Sequence, residues 1–198
     1  MQLNGVHLNH CGVNTMIKEC IILLFFLSMS IHLWADEPRS SNMNIWTEND
    51  DVYVLHTHSV TAWTIRKSEL KVIDKKNGSE IFRAETTPFT KLVPVDGGKY
   101  FAGFSDLQAG SLPHGYNFAL FTPDGEFISR VYVSKKTGHC DKVSQSVSQY
   151  LRWFSKSPNI KLAKDENGSI KSIIVSPLYY ESSPCKLPIG DQLVKLEK

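Results

Sequence analysis

The chain has 198 residues, 41% hydrophobic and 11% aromatic, enough apolar material to bury the core of one ordinary globular domain. Its 22 Lys and Arg stand against 20 Asp and Glu, a net charge of +2, and the two signs are interspersed. No broad basic face is implied, which sets nucleic-acid binding aside.

The first distinct segment is Cys20 to Ala35, CIILLFFLSMSIHLWA, preceded by Lys18 and followed at once by the polar run Asp36-Glu37-Pro38-Arg39. Roughly 15 residues fall short of the roughly 20 that span a bilayer, but they suit the apolar core of a secretory signal. The expectation is a signal peptide over 1–35 cut after Ala35, with Met16 as an alternative start, followed by a single domain over 36–198. A retained membrane anchor is the other reading. Cutting there removes Cys11 and Cys20 and leaves Cys140 and Cys185. Two cysteines in an oxidising compartment read as one disulfide, whereas a chain that was never exported would keep them as buried thiols.

Beyond the cut, 36–43 is polar and is expected to fray, with order starting near Ile45-Trp46. Asp51 to His58, DVYVLHTH, alternates as a strand does, and a second strand is expected over 60–66. Leu70 to Arg83 reads as a hairpin turning at Asn77-Gly78. Strand pairs are then predicted at 90–94 with 99–105 around Asp96-Gly97-Gly98, and at 116–122 with 126–134 around Asp124-Gly125. In Asp141 to Phe154, Val143, Val147, Tyr150, Leu151 and Phe154 share one side at helical spacing, and Asp141 suits an N-cap, so a short helix is predicted over 141–154. A third hairpin, 161–175, turns at Asn167-Gly168, with Ile173 to Val175 as a buried strand. After Pro177 the segment LYYESSPCKLP is expected to lie across the body as a pinned loop, and 193–198 to be solvated. Asn-Gly-Ser at 77 and 167 matches a glycan acceptor, but the turn alone explains both. The hairpin glycines fall at 78, 125 and 168, so one structural unit is used about three times.

The segments KLVPVDGGKYFAGFSD and YNFALFTPDGEFISRV together resemble a blade of a β-propeller repeat protein, with Thr122-Pro123-Asp124-Gly125 where such repeats often turn. A closed propeller needs at least four blades of about 40 residues, and this chain holds about three. The expected fold is therefore all-β: an antiparallel meander of about three four-stranded propeller-like units, or a two-sheet sandwich, with one short helix near 141–154.

Chemistry is sparse. His56 and His58 alternate on a strand and point the same way about 7 Å apart, a pair able to bind zinc or copper. Ser111 and His114, with Asp106 as orienter, do not have the spacing of a nucleophile elbow. Neither a phosphate loop, a zincin helix nor a close carboxylate pair is present. The conspicuous feature is the ten-residue connection DLQAGSLPHG, 106–115, between strands otherwise joined by two to four residues. Leu107, Ser111, Leu112 and His114 are its candidates for presentation to a partner, and Tyr179 and Tyr180 form a second candidate contact. These features predict a periplasmic or secreted protein that binds another protein without catalysis or cofactor and has no membrane attachment once the signal is removed. Its most concrete form is an inhibitor that blocks an envelope-degrading enzyme, such as a secreted cell-wall hydrolase, through loop 106–115. In general type this resembles the immunity proteins paired with secreted cell-wall amidases. The alternatives are a metal-dependent envelope hydrolase using His56 and His58, and a structural envelope module.

Overall fold

A computed structural model describes residues 41–61, 64–107, 112–145, 151–176 and 183–194, all within one compact unit, Pro38–Lys198. In chain order the strands are β1 (Ser41–Glu48), β2 (Val52–Thr61), β3 (Thr64–Asp74), β4 (Glu80–Glu85), β5 (Lys91–Val95), β6 (Tyr100–Phe104), β7 (Phe118–Phe121) and β8 (Phe127–Val131). They continue with β9 (Ser144–Gln145), β10 (Leu151–Arg152), β11 (Ile160–Lys164), β12 (Ile170–Val175), β13 (Cys185–Leu187) and β14 (Gly190–Gln192). The fold is all-β, as expected, and holds no helix among the described residues.

Two four-stranded antiparallel meanders, β1–β4 and β5–β8, follow one another, and β11–β13 form a three-stranded third. The turns are those the glycines foretold. Gly78, Gly125 and Gly168 have φ of 71°, 92° and 80°, a region that costs any residue with a Cβ. Asp96, Gly97 and Gly98 are all left-handed as well. Asn49 ties the first two meanders together: its Oδ1 accepts from the N–H groups of Asp51 and Val52, while its Nδ2 donates to Gly98 O at 2.8 Å.

The β5–β8 sheet is a middle layer. Phe101, Ala119 and Phe121 pack with Val52, Val54, Leu70 and Val72 of the first sheet. Ala102, Phe104, Phe118, Leu120 and Val131 point the other way, onto Trp153, Ile173, Val175 and Leu187. With both faces covered, FALF in β7 is buried at every position, so it reads as a continuous apolar run rather than an alternating one. The outer sheets cover one face each and alternate, as Val52 and Val54 buried around exposed Tyr53 illustrate.

Several expectations are corrected. The helix over 141–154 is replaced at both flanks by strand: Gln145 pairs with Leu151 and Ser144 with Arg152, and 146–150 lie outside the described residues. The stripe misled because it left out Trp153, which is fully buried beside buried Leu151 and exposed Arg152, a period of two rather than 3.6. The strand expected at 60–66 is divided: 60–61 end β2 and 64–66 open β3, which pair with each other, and β3 runs on through polar Lys67-Ser68-Glu69, where Ser68 faces His56 and Lys67 and Glu69 form an ion pair at 3.5 Å. Order starts earlier than expected, with 41–48 pairing along β2. The supposed pinned loop contains β13, which pairs with β12, and β14 joins β8 in parallel.

Cys140 and Cys185 form the expected disulfide, Sγ–Sγ 2.08 Å. Lys186 N–H donates to His139 O beside it, so β13 is held by bridge and backbone together. The bond is compatible with an oxidising, exported environment. The expected signal, 1–35, lies outside the described residues.

Candidate functional site

The inward face of β2 and β3 changes character along its length. Val54 and Val72 lie side by side, then His56 beside Leu70, then His58 beside Ser68. The apolar core thus gives way to a polar end, closed by the β4–β5 connection. Thr86 N–H donates to Ser68 O at 3.1 Å, and Phe89 N–H approaches His56 Nε2 at 3.4 Å. His56 is fully buried and His58 is 5% exposed. Their ring centroids stand 5.4 Å apart, and the Phe89 ring lies 5.1 Å from that of His56. Tyr116 completes the wall, its hydroxyl accepting from Thr87 N–H at 3.4 Å.

Burial and the neighbouring His58 hold the His56 pKa down to about 3, and burial also lowers that of His58. Both rings are neutral at physiological pH. Burial raises the Tyr116 hydroxyl to about 12. The shortest contact of the cluster is His56 Nε2 to Ser68 Oγ, 3.0 Å. Hydroxyl and imidazole at this distance form a nucleophile–base pair in outline, but Ser68 is only 6% exposed and His56 not at all, so a substrate has no approach. An imidazole with a pKa about 3 is also a poor general base near neutrality.

The cluster is polar beyond what it satisfies. Among the described residues, five buried side-chain atoms have no hydrogen-bond partner: Nδ1 of His56, Nδ1 of His58, the hydroxyls of Thr86 and Thr87, and one Asp106 oxygen. The first four belong to the histidine pair and the segment lying against it. Sequence reasoning found the pair from its alternation; it missed Ser68, Thr86, Thr87 and Tyr116, which converge only through the stacking of two sheets. No group of three or more His, Cys, Asp or Glu that could hold a metal ion occurs among the described residues.

The long connection 106–115 is anchored at both ends. Asp106 O accepts from Leu151 N–H, and Ser105 O accepts from the Trp153 indole at 3.2 Å. Gly115 O accepts from Val194 N–H at 2.8 Å. Leu107 is half-buried and Leu112 is 1% exposed, a core side chain rather than one held out to a partner. His114 is half-buried with its ring 6.2 Å from Tyr116, its pKa lowered by burial against the opposing pull of Glu85. Ser111, Tyr179 and Tyr180 lie outside the described residues.

The exposed aromatic surface lies elsewhere. On the outward face of the first sheet, Trp46 is 63% exposed and sits opposite Leu55, and Tyr53 is 44% exposed opposite Glu48. Lys75 bridges the corner, 2.7 Å from Glu48 and 4.7 Å above the Tyr53 ring. Ion pairs of Glu69 with Lys71 and of Glu80 with Arg83 occupy the rest of that face. In comparisons with known proteins, no family model, no curated protein and no solved structure matches the chain.

Proposed function

We propose that this chain is an exported, non-catalytic protein that works by binding another protein, most concretely an inhibitor or immunity protein that blocks a secreted cell-wall hydrolase. The observation that carries the reading is the pair Trp46 and Tyr53, large aromatic side chains held out to solvent on a rigid sheet. Aromatic residues on pre-ordered backbone supply contact area at little entropic cost and dominate the binding energy of protein interfaces. The hydroxyl–imidazole pair of Ser68 and His56 is closed to substrate, which favours binding over catalysis. The disulfide is in keeping with export. The interface therefore centres on Trp46, Leu55 and Tyr53, with loop 106–115 contributing at most through Leu107, His114 and residues 108–111.

The test is a pull-down of envelope and secreted proteins from the producing cell with C-terminally tagged chain, its disulfide intact. One stoichiometric hydrolase is expected, its activity blocked in proportion to the protein added, and its capture should be lost in Trp46→Ala. Capture that survives Trp46→Ala with Tyr53→Ala but is lost when 108–111 become a Gly-Ser link would move the interface to the loop. Well-folded protein that captures nothing would refute the binding role and favour the structural envelope module.

A further inference from the structure

We propose that β1 is a pairing edge through which two copies of the chain join, running the β1–β4 sheet on into that of the second copy. An open sheet edge offers unpaired N–H and C=O groups to any other chain, and proteins ordinarily blunt it with lysine, proline, a bulge or brevity. Among the described residues, the other edges carry these devices. β4 has a register shift and exposed Glu80, Arg83 and Glu85. β5 holds Lys91 and Pro94, and β11 holds Lys161 and Lys164 with a register shift. β13 and β14 have three residues each, and β9 and β10 two. β1 has none of them: its eight residues, SNMNIWTE, pair with β2 without a break and include neither proline nor lysine.

The free backbone groups follow from the ladder. Asn49 N–H donates to Val52 O at 3.2 Å next to the Glu48–Tyr53 pair. In the alternation of an antiparallel ladder, the odd-numbered residues of β1 therefore bond to β2, and Asn42, Asn44, Trp46 and Glu48 turn their backbone groups to the open edge. The inward side chains Met43, Ile45 and Thr47 are only half-buried, so a largely apolar margin lies along the same edge.

These features select a second copy as the occupant. A two-fold axis at Ile45 pairs Asn42 with Glu48, and Asn44 with Trp46, of the other copy, so that all the free groups of both strands meet. It sets Ile45 beside Ile45 and Met43 beside Thr47 on the inward face. A slip of one residue would set inward side chains against outward ones, and a slip of two would leave pairs unmade. Glu48 is the only charged residue of the strand, and this register holds it at the opposite end from its counterpart. Pairing uses the Trp46 backbone and leaves its ring on the outward face, so the dimer does not depend on the hydrolase reading.

The experiment is sedimentation equilibrium of the full chain across a concentration series, its disulfide intact, beside hydrogen exchange of the same samples. The mass should rise from monomer to dimer. The Asn44 and Trp46 amides should exchange more slowly in the dimer, while that of Ile45 is unchanged. Asn44→Pro removes an edge-facing N–H and should weaken association at least tenfold, with the unfolding midpoint unchanged. Should it fail to fold, Asn44→Lys takes its place with the same loss expected. Trp46→Ala keeps its backbone groups and should still dimerise, and Asn44→Pro should still capture the hydrolase, so this pairing and the aromatic binding face fail separately. A chain monomeric throughout, association undiminished by the folded Asn44 variant, or a dimer whose Asn44 and Trp46 amides exchange as fast as the monomer's would each overturn the proposal. Protection of those amides only with the hydrolase bound would also overturn it, making a strand of the target the occupant instead.

Discussion

His56 carries a stability cost that depends on pH. Its ring stays neutral down to a pKa of about 3 because the site is buried and His58 is adjacent, whereas in the unfolded chain a histidine titrates near 6.5. Below about 6.5 the unfolded state therefore binds a proton that the native state refuses. The stability tied to His56 is complete above that pH and is lost as the pH falls from about 6.5 towards 3, amounting to about 2–3 kcal/mol at pH 4.5. Urea unfolding at pH 7 and pH 4.5 checks this against His56→Gln, which should lose less between the two; identical losses would show that His56 is not the source. Gly125 is a second single-residue constraint, since it combines φ of 92° with a Cβ position only 2.2 Å from the Phe82 ring. Gly125→Ala must strain the turn and push β4 away, so a loss of about 2 kcal/mol or more is expected in thermal or urea unfolding. A neutral result would mean that the β4 contact with the turn is loose.

At the scale of elements, the same physics decides what could be read in advance. Hairpins at 78, 125 and 168 were legible because left-handed turn positions strongly favour Gly, Asn and Asp, so the chemistry is local. The strands of the middle sheet were legible from the Asp-Gly turns that join them, but its burial on both faces was not, because a run as short as FALF suits more than one buried element. β13 and β14 were not legible: CKL and GDQ are three residues each, set among prolines, and become strands only by finding β12 and β8. Nor could the polar stretch before Ile45 announce a strand, since β1 depends on the ladder that β2 offers. The candidate site divides in the same way, its histidine pair lying on one strand and its remaining walls coming from distant segments. Two predictions belong here. Breaking the Cys140–Cys185 bridge, which spans 45 residues, should cost about 4 kcal/mol in the chain-entropy picture, measured as the difference in unfolding free energy between wild type and the double Ala variant. Leu112→Ala should cost about 2–5 kcal/mol, because the side chain is core; a loss below 1 kcal/mol would return Leu112 to the surface role the sequence suggested.

For the molecule as a whole, the three larger sheets among the described residues divide the work. The middle one is covered on both faces and gives the body its rigidity, while the outward face of β1–β4 carries the most exposed of the large hydrophobic side chains. Trp46 touches the solvent far more than the core, so removing it should alter binding without altering the fold. The decisive measurement is the inhibition of the captured hydrolase by wild type and by Trp46→Ala with Tyr53→Ala, each first shown to have the wild-type unfolding midpoint. A rise in the inhibition constant of at least a hundredfold, with the midpoint unchanged, is the result predicted for a binding protein that acts through this face. Undiminished inhibition by the folded double variant would contradict it.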